Sequence, residues 1–295
     1  AAAAAAAAAT AMATLCPATQ EQEAVWKALT QATPERTSAG YAGFQCVPSV
    51  SGVDDRGDEP AEWAAVFFNG ASGGGASKNA DGWPLIMLSS ALGGLKIMST
   101  EMAELLYPFM VDYNQIETDS MGQGNTMGGA GIRVVVRPYR TPMDCFGSGD
   151  GAATPPFGAF GGTCGIGGGN YRETLDTGHR DYSSAKGYMR IDVGQTWVGV
   201  SSGGGGFGDP LERPADKVCE HVRDEIISFE TARDVYGVVL DPITFQLDER
   251  GTEKLRAKIT QERGELPIIQ PTGPNAATWL QENMREGDNY LLDPQ

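Results

Sequence analysis

Apolar and polar positions alternate in distinct rhythms along the chain, and each rhythm predicts an element. From Thr19 to Ala32, TQEQEAVWKALTQA sets Val25 and Leu29 four apart behind an acidic start, which predicts an amphipathic helix ending before TPERT. EWAAVFFNG and IRVVVRPY have the β-branched and aromatic weighting of strands. GYMRIDVGQTWVGV reads as two short strands joined near Gly194. STEMAELLYPF offers Ser99 or Thr100 as an N-cap, acids in the first turn and Pro108 as a stop, so it predicts a short helix. Further on, Pro214 suits a first helical position, and Val218, Val222 and Ile226 form a four-residue ladder, predicting a buried helix over 214–228. SFETARDVYGVVLDP follows as a helical turn and a short strand. TEKLRAKITQER predicts a last helix with Leu255 and Ile259 on one side, and the stretch from Gly264 has the composition of an extended tail.

Between these elements lie glycine-dense loops at 70–84, 119–131, 155–170 and 201–208, with no common repeat period. The first is not a phosphate-binding P-loop, because Ser77 rather than Gly precedes Lys78. The last, SSGGGGFGDPLERP, runs directly into Phe207 and the rigid Asp209-Pro210 step. A free linker needs neither, so the run predicts a backbone pressed flat against another surface, with positive φ accessible.

Composition narrows the class. The 295 residues are 41% hydrophobic and include 40 glycines, enough for a real core under unusually many loops. A formal charge of −16, with Lys and Arg scattered singly, disfavours nucleic acid and anionic membrane surfaces as partners. No apolar run reaches the roughly 18–20 residues of a spanning helix. The five cysteines are widely spaced and never form C-x-x-C, which favours reduced thiols and a cytoplasmic location. The nine N-terminal alanines read as a placeholder for unidentified residues, so residues 1–9 are set aside. The expected organisation is one body over 10–263 and a tail over 264–295. The expected fold class is α+β, with mixed or antiparallel sheets, glycine-rich loops and a helical C-terminal third.

GGGGFGDPLERPADKV followed by VRDEIISFETARDVYGVVLD resembles the C-terminal signature of the hydantoinase B/5-oxoprolinase family. DSMGQGNTMGGAG is similar to that family's Asp-Ser-Gly-Gly-x-Gly-x-x-Arg-Gly-Gly-x-Gly loop, with Met121 in place of a Gly and Met127 in place of the Arg. GGGASKNADGW, STEMAELLYPF and PFGAFGGTCG resemble further elements in the same order. Members are considerably longer, so the resemblance implies the C-terminal half of a metal-bearing subunit. It implies a divalent metal (Mn or Zn) held in the absent N-terminal half. It also implies a hydantoinase A-like partner that binds ATP and Mg, phosphorylates the substrate and hands on an activated small molecule. The implied reaction is, first, ketone carboxylation with bicarbonate, as in acetone and acetophenone carboxylases. The alternatives are cyclic amide hydrolysis, as in hydantoinases and oxoprolinases, or a non-catalytic structural half of such a complex.

The residues themselves name few chemical candidates. His179 and His221 are too few for a multi-histidine metal site, and Asp176, His179 and Asp181 read as a solvated polar loop. Cys164 has no basic flank to activate it and reads as packed; Glu101 and Glu104 read as acids at a helix start. Asp209 reads as a turn cap. The residues expected to line substrate or an interface are Asp119, Ser120, Gly128 and Gly129 in one loop and Gly203, Gly204, Gly205 and Gly206 in another. No metal ligand is assigned within this chain.

Overall fold

The computed structural model describes residues 18–41, 48–67, 70–86, 97–148, 151, 154–183 and 186–271. Two antiparallel sheets carry the fold. One has four strands, β1 (Ser49–Asp54), β2 (Ala61–Val66), β5 (Met143–Ser148) and β9 (Lys186–Ile191), in the order β2-β1-β5-β9. The other has five, β3 (Phe109–Ile116), β4 (Ile132–Pro138), β7 (Gly169–Thr174), β8 (His179–Tyr182) and β10 (Gln195–Val200), in the order β3-β4-β10-β7-β8. The two-residue strands β6 (Gly158–Ala159) and β11 (Ile269–Gln270) pair with each other. This is the expected α+β class, and every pairing between the strands named here, among the described residues, is antiparallel.

Alternation along β4 explains how the sheets meet. Val134 and Val136 point into a core that also takes Val50, Phe109, Met143, Cys145, Ile191 and Trp197, drawn from both sheets. Val135 points the other way, onto Ile166, Tyr171, Tyr182, Val198 and Val200. The middle of β4 is therefore covered on both faces, which is why Val134, Val135 and Val136 are all apolar instead of alternating with polar residues.

The helices are α1 (18–32), α2 (Thr100–Leu106), α3 (Ala215–Arg223), α4 (Phe229–Asp234) and α5 (Glu249–Glu262). Ser99 caps α2 by accepting from the Met102 N–H at 3.3 Å. α3 stops five residues short of the predicted 214–228. Glu225 takes φ +57°, and the N–H groups of Ile226 and Ile227 both turn back to the His221 carbonyl. That break takes Ile226 out of the ladder and buries Ile227 with Val218 and Val222. GVVLDP forms no sheet strand; it holds a single bridge between Leu240 and Leu247, after which the Asp241 carboxylate accepts from the N–H groups of Ile243 and Thr244. The polar segment containing Asp176 is the turn of the β7–β8 hairpin, closed by Gly178 at φ +65°. The tail returns to the body over its described part. Phe160 and Gly161 donate to the carbonyls of Ile268 and Pro267, beside the β6–β11 pair. Residues 1–9, Cys16 and Cys46 lie outside the described residues.

Candidate functional site

Three glycine segments converge because of the strand register. The 119–131 loop enters β4, the 155–168 segment enters β7, and the 201–208 run leaves β10, all at one end of the five-stranded sheet, where Val200 faces both Arg133 and Gly169. The Ser201 hydroxyl fastens the end of β10 to the start of β4 by accepting from the Ile132 N–H at 2.8 Å.

Within the junction, backbone packs on backbone. The N–H groups of Gly203, Gly204, Gly205 and Gly206 donate to the carbonyls of Ser120, Gly129, Gly40 and Thr163 at 3.1, 2.8, 2.9 and 3.0 Å. Four successive residues thus reach three different segments, the arrangement of an extended ribbon surrounded by other ribbons, as at the crowded glycine axis of collagen. A Cβ on Gly204 would stand 1.9 Å from the Gly74 carbonyl oxygen, and one on Gly205 1.9 Å from that of Phe157. The requirement for glycine here is space; positive φ is needed only afterwards, at Gly208 (+78°). The surface pressed against the run is the chain's own.

The expected lining residues all belong to this junction. Ser120 is fully buried, donates to the Glu117 carbonyl at 2.6 Å and accepts from the Gly131 N–H at 2.8 Å. Asp119 sits at φ +58° and its carboxylate accepts from the Ser228 N–H at 3.0 Å, tying the loop to the start of α4. Gly128 and Gly129 lie against the carbonyls of Gly204 and Trp83. Met121 and Met127 are buried among Val218, Val222 and Ala232, so the position resembling the family's Arg is here part of an apolar core.

A polar cluster beneath that loop was not singled out from the sequence. The Arg213 side chain is buried and makes a bidentate pair with Asp81, both contacts at 2.8 Å, while also donating to the Asn125 carbonyl at 2.8 Å. Asp81 in turn accepts from the Met127 N–H at 2.7 Å. Burial pushes the Asp81 carboxyl up, but Arg213, the Met127 N–H and His221 outweigh it and hold it below its usual value. His221 lies with Nδ1 3.5 Å from Arg213 Nη2. A guanidinium only donates, so Nδ1 carries the lone pair and Nε2 the proton. Desolvation, with Arg213 second, lowers the His221 pKa and keeps the ring neutral near pH 7. On the other side, the Tyr236 hydroxyl donates to Gln123 Oε1 at 2.5 Å, and Gln123 Nε2 donates to the Met121 carbonyl. Chemically, the cluster offers a fixed, partly exposed carboxylate and a neutral imidazole. The signals available were the Asp within NADGW and the Arg within PLERP, two segments that already carry the family resemblance.

The remaining candidates do not gather into a site. His179 Nε2 lies 3.0 Å from Asp181 Oδ1, and Asp181 is paired with Arg172 on the exposed hairpin. Cys145, Cys164 and Cys219 are buried, and burial raises the pKa of Cys145 and Cys219. Glu104 accepts from the Val111 N–H at 2.8 Å, whereas Glu101 is exposed in the first turn of α2. Asp209 caps the turn Pro210–Glu212 by accepting from the Leu211 N–H, and it pairs with Arg263. Among the described residues no three His, Cys, Asp or Glu side chains converge as metal ligands, so those residues do not fit the divalent ion the resemblance implies. No helix among them is long and apolar enough to cross a membrane.

Antiparallel sheets closed at one end by interlocked glycine ribbons define an α+β scaffold whose candidate site is built mainly from backbone. The chain belongs to the Hydantoinase B/oxoprolinase family, whose profile matches residues 1–210. It is 34% identical over 239 residues to the caprolactamase subunit beta of Pseudomonas jessenii, covering 80% of this chain and 41% of that one. The solved ATP-dependent caprolactamase from that organism matches with a TM-score of 0.62 at 29% identity, over 78% of this chain and 40% of that chain. A nucleotide-free acetone carboxylase structure matches in fold, with a TM-score of 0.68 at 20% identity over 88% of this chain and 38% of that one. The chain thus spans about two fifths of the relatives' length.

Proposed function

We propose that this chain is the scaffold part of a β-type subunit in an ATP-dependent complex that opens cyclic amides. The observation that carries this reading is the 34% identity to a caprolactamase β subunit over most of the chain; the likeness to acetone carboxylase concerns the fold. In this reading a hydantoinase A-like partner activates the substrate amide with ATP and Mg. A divalent metal is held by polypeptide outside these 295 residues. In this reading the glycine junction and the Asp81–Arg213–His221 cluster keep this part of the subunit rigid, with the buried Ser120, Gly128 and Gly129 as its framework and Asp119 at its edge. Fixed backbone dipoles suit that role because they do not reorganise as charge develops.

The test is ATP turnover by the purified complex containing this chain, given either a lactam or a ketone with bicarbonate. Phosphate release that depends on the lactam, with an amino acid as product, is expected. Turnover that responds only to ketone and bicarbonate would replace this reading with ketone carboxylation.

A further inference from the structure

Helix α1 is mounted inside out. Its inward face is mostly polar. Trp26 donates through Nε1 to Ser38 Oγ at 2.8 Å, Thr30 donates to the Ser38 carbonyl at 2.8 Å, and Glu23 Oε2 accepts from the Tyr41 N–H at 3.3 Å. Lys27 Nζ lies 5.7 Å from the centre of the Phe157 ring. The outward face carries Ala24, Val25, Ala28, Leu29 and Ala32, spaced as one helical stripe and all exposed, with Val25 at 59% and Leu29 at 43%. A surface helix ordinarily turns such a stripe to the core. Here the core side is already held by hydrogen bonds, so the stripe is left for something else. Rotation cannot bury it without stripping Trp26, Thr30 and Glu23 of those partners.

We infer that this stripe is the seat for the part of the family polypeptide that the 295 residues do not include. Three observations single out that occupant. The chain matches only 41% of the caprolactamase β subunit, so more than half of such a subunit lies outside the matched part. α1 lies inside residues 1–210, the region matched by the family, and is thus part of the shared fold. Ala24, Ala28 and Ala32 are small side chains beside Val25 and Leu29, a surface on which an opposing helix could approach to about 8–10 Å. Glu21 at the stripe's edge and a chain charge of −16 favour a basic rim on the incoming surface. The inference rests on family membership and not on which reaction the complex performs.

The test uses the portion of the Pseudomonas jessenii caprolactamase subunit beta that this chain does not match, produced as a separate polypeptide, and titrates it calorimetrically into the 295-residue chain without ATP or substrate. Binding is expected, and the double variant Val25→Asp/Leu29→Asp should weaken it tenfold or more with only a small fall in melting temperature, because both side chains are largely exposed. Leu105→Asp, at an exposed position on α2, should bind as the unaltered chain does. The inference is overturned by absence of binding to the unaltered chain, by equal affinity of the double variant, or by equal weakening in Leu105→Asp. It is also overturned if the unaltered chain sediments as a dimer that the double variant dissociates, which would make a second copy the occupant. None of these readouts involves turnover, so they stand apart from the lactam test.

Discussion

At Gly205 a single methyl group decides whether the junction closes. The added carbon would sit 1.9 Å from the Phe157 carbonyl oxygen, which is main chain and cannot rotate away. Gly205→Ala should therefore cost at least about 3 kcal/mol, or abolish folding, as overpacking against a rigid wall does. Gly57→Ala, with nothing nearer than 3.8 Å, should change stability by less than about 0.5 kcal/mol in the same urea titration. The ion pair makes a second prediction. Arg213 is buried with 2% of its side chain exposed, against 38% for Asp81, so removing the acid strands a desolvated cation. Asp81→Ala should destabilise by about 3 kcal/mol by chemical denaturation, and Asp81→Asn by less, since the amide oxygen still accepts a hydrogen bond. Sequence reading found neither residue, because a charge 132 positions from its partner leaves no local signal. The importance of the glycines was legible, since only a missing side chain explains four in a row.

At the scale of an element, α1 is the pH-sensitive piece. Desolvation raises the Glu23 carboxyl to about 7, against which the Tyr41 N–H and Lys27 act only partly. A raised carboxyl pKa in the folded state means its stabilisation is complete below the unfolded value near 4.5 and is lost as pH rises through about 7. Between pH 5 and pH 8 the chain should lose about 2 kcal/mol, since each pKa unit carries roughly 1.4 kcal/mol and the carboxylate keeps part of its hydration. Glu23→Gln should flatten that dependence in thermal unfolding across the range. The helix itself was readable from its acidic start and 3.6-residue period. Which face it buries was not, because the period fixes an apolar stripe and leaves its orientation to the hydrogen bonds that Ser38 and Tyr41 supply. Likewise α3 was readable, but its early end depends on Glu225 adopting a left-handed turn that its sequence does not announce.

For the molecule as a whole, the tail is a clamp on the glycine junction. Ending the chain at Arg263 removes β11 from β6 and takes Leu266 off Gly161, while leaving the Arg263–Asp209 pair in place. The melting temperature should fall by about 2–4 °C, corresponding to one or two kcal/mol for a chain of this size, measured by differential scanning calorimetry. The sequence alone determined the α+β class, the strands with continuous apolar runs, the helices with clear periods and caps, and the family, because these follow from local spacing and from ordered motifs. Tertiary structure alone decided that the glycine ribbons press on one another. It also decided that Arg213 meets Asp81 beneath them and that the apolar face of α1 looks outward. Each of these depends on which distant backbone atoms come within hydrogen-bonding reach, a matter of strand register and closure between segments a hundred residues apart, and no short window of sequence carries that information.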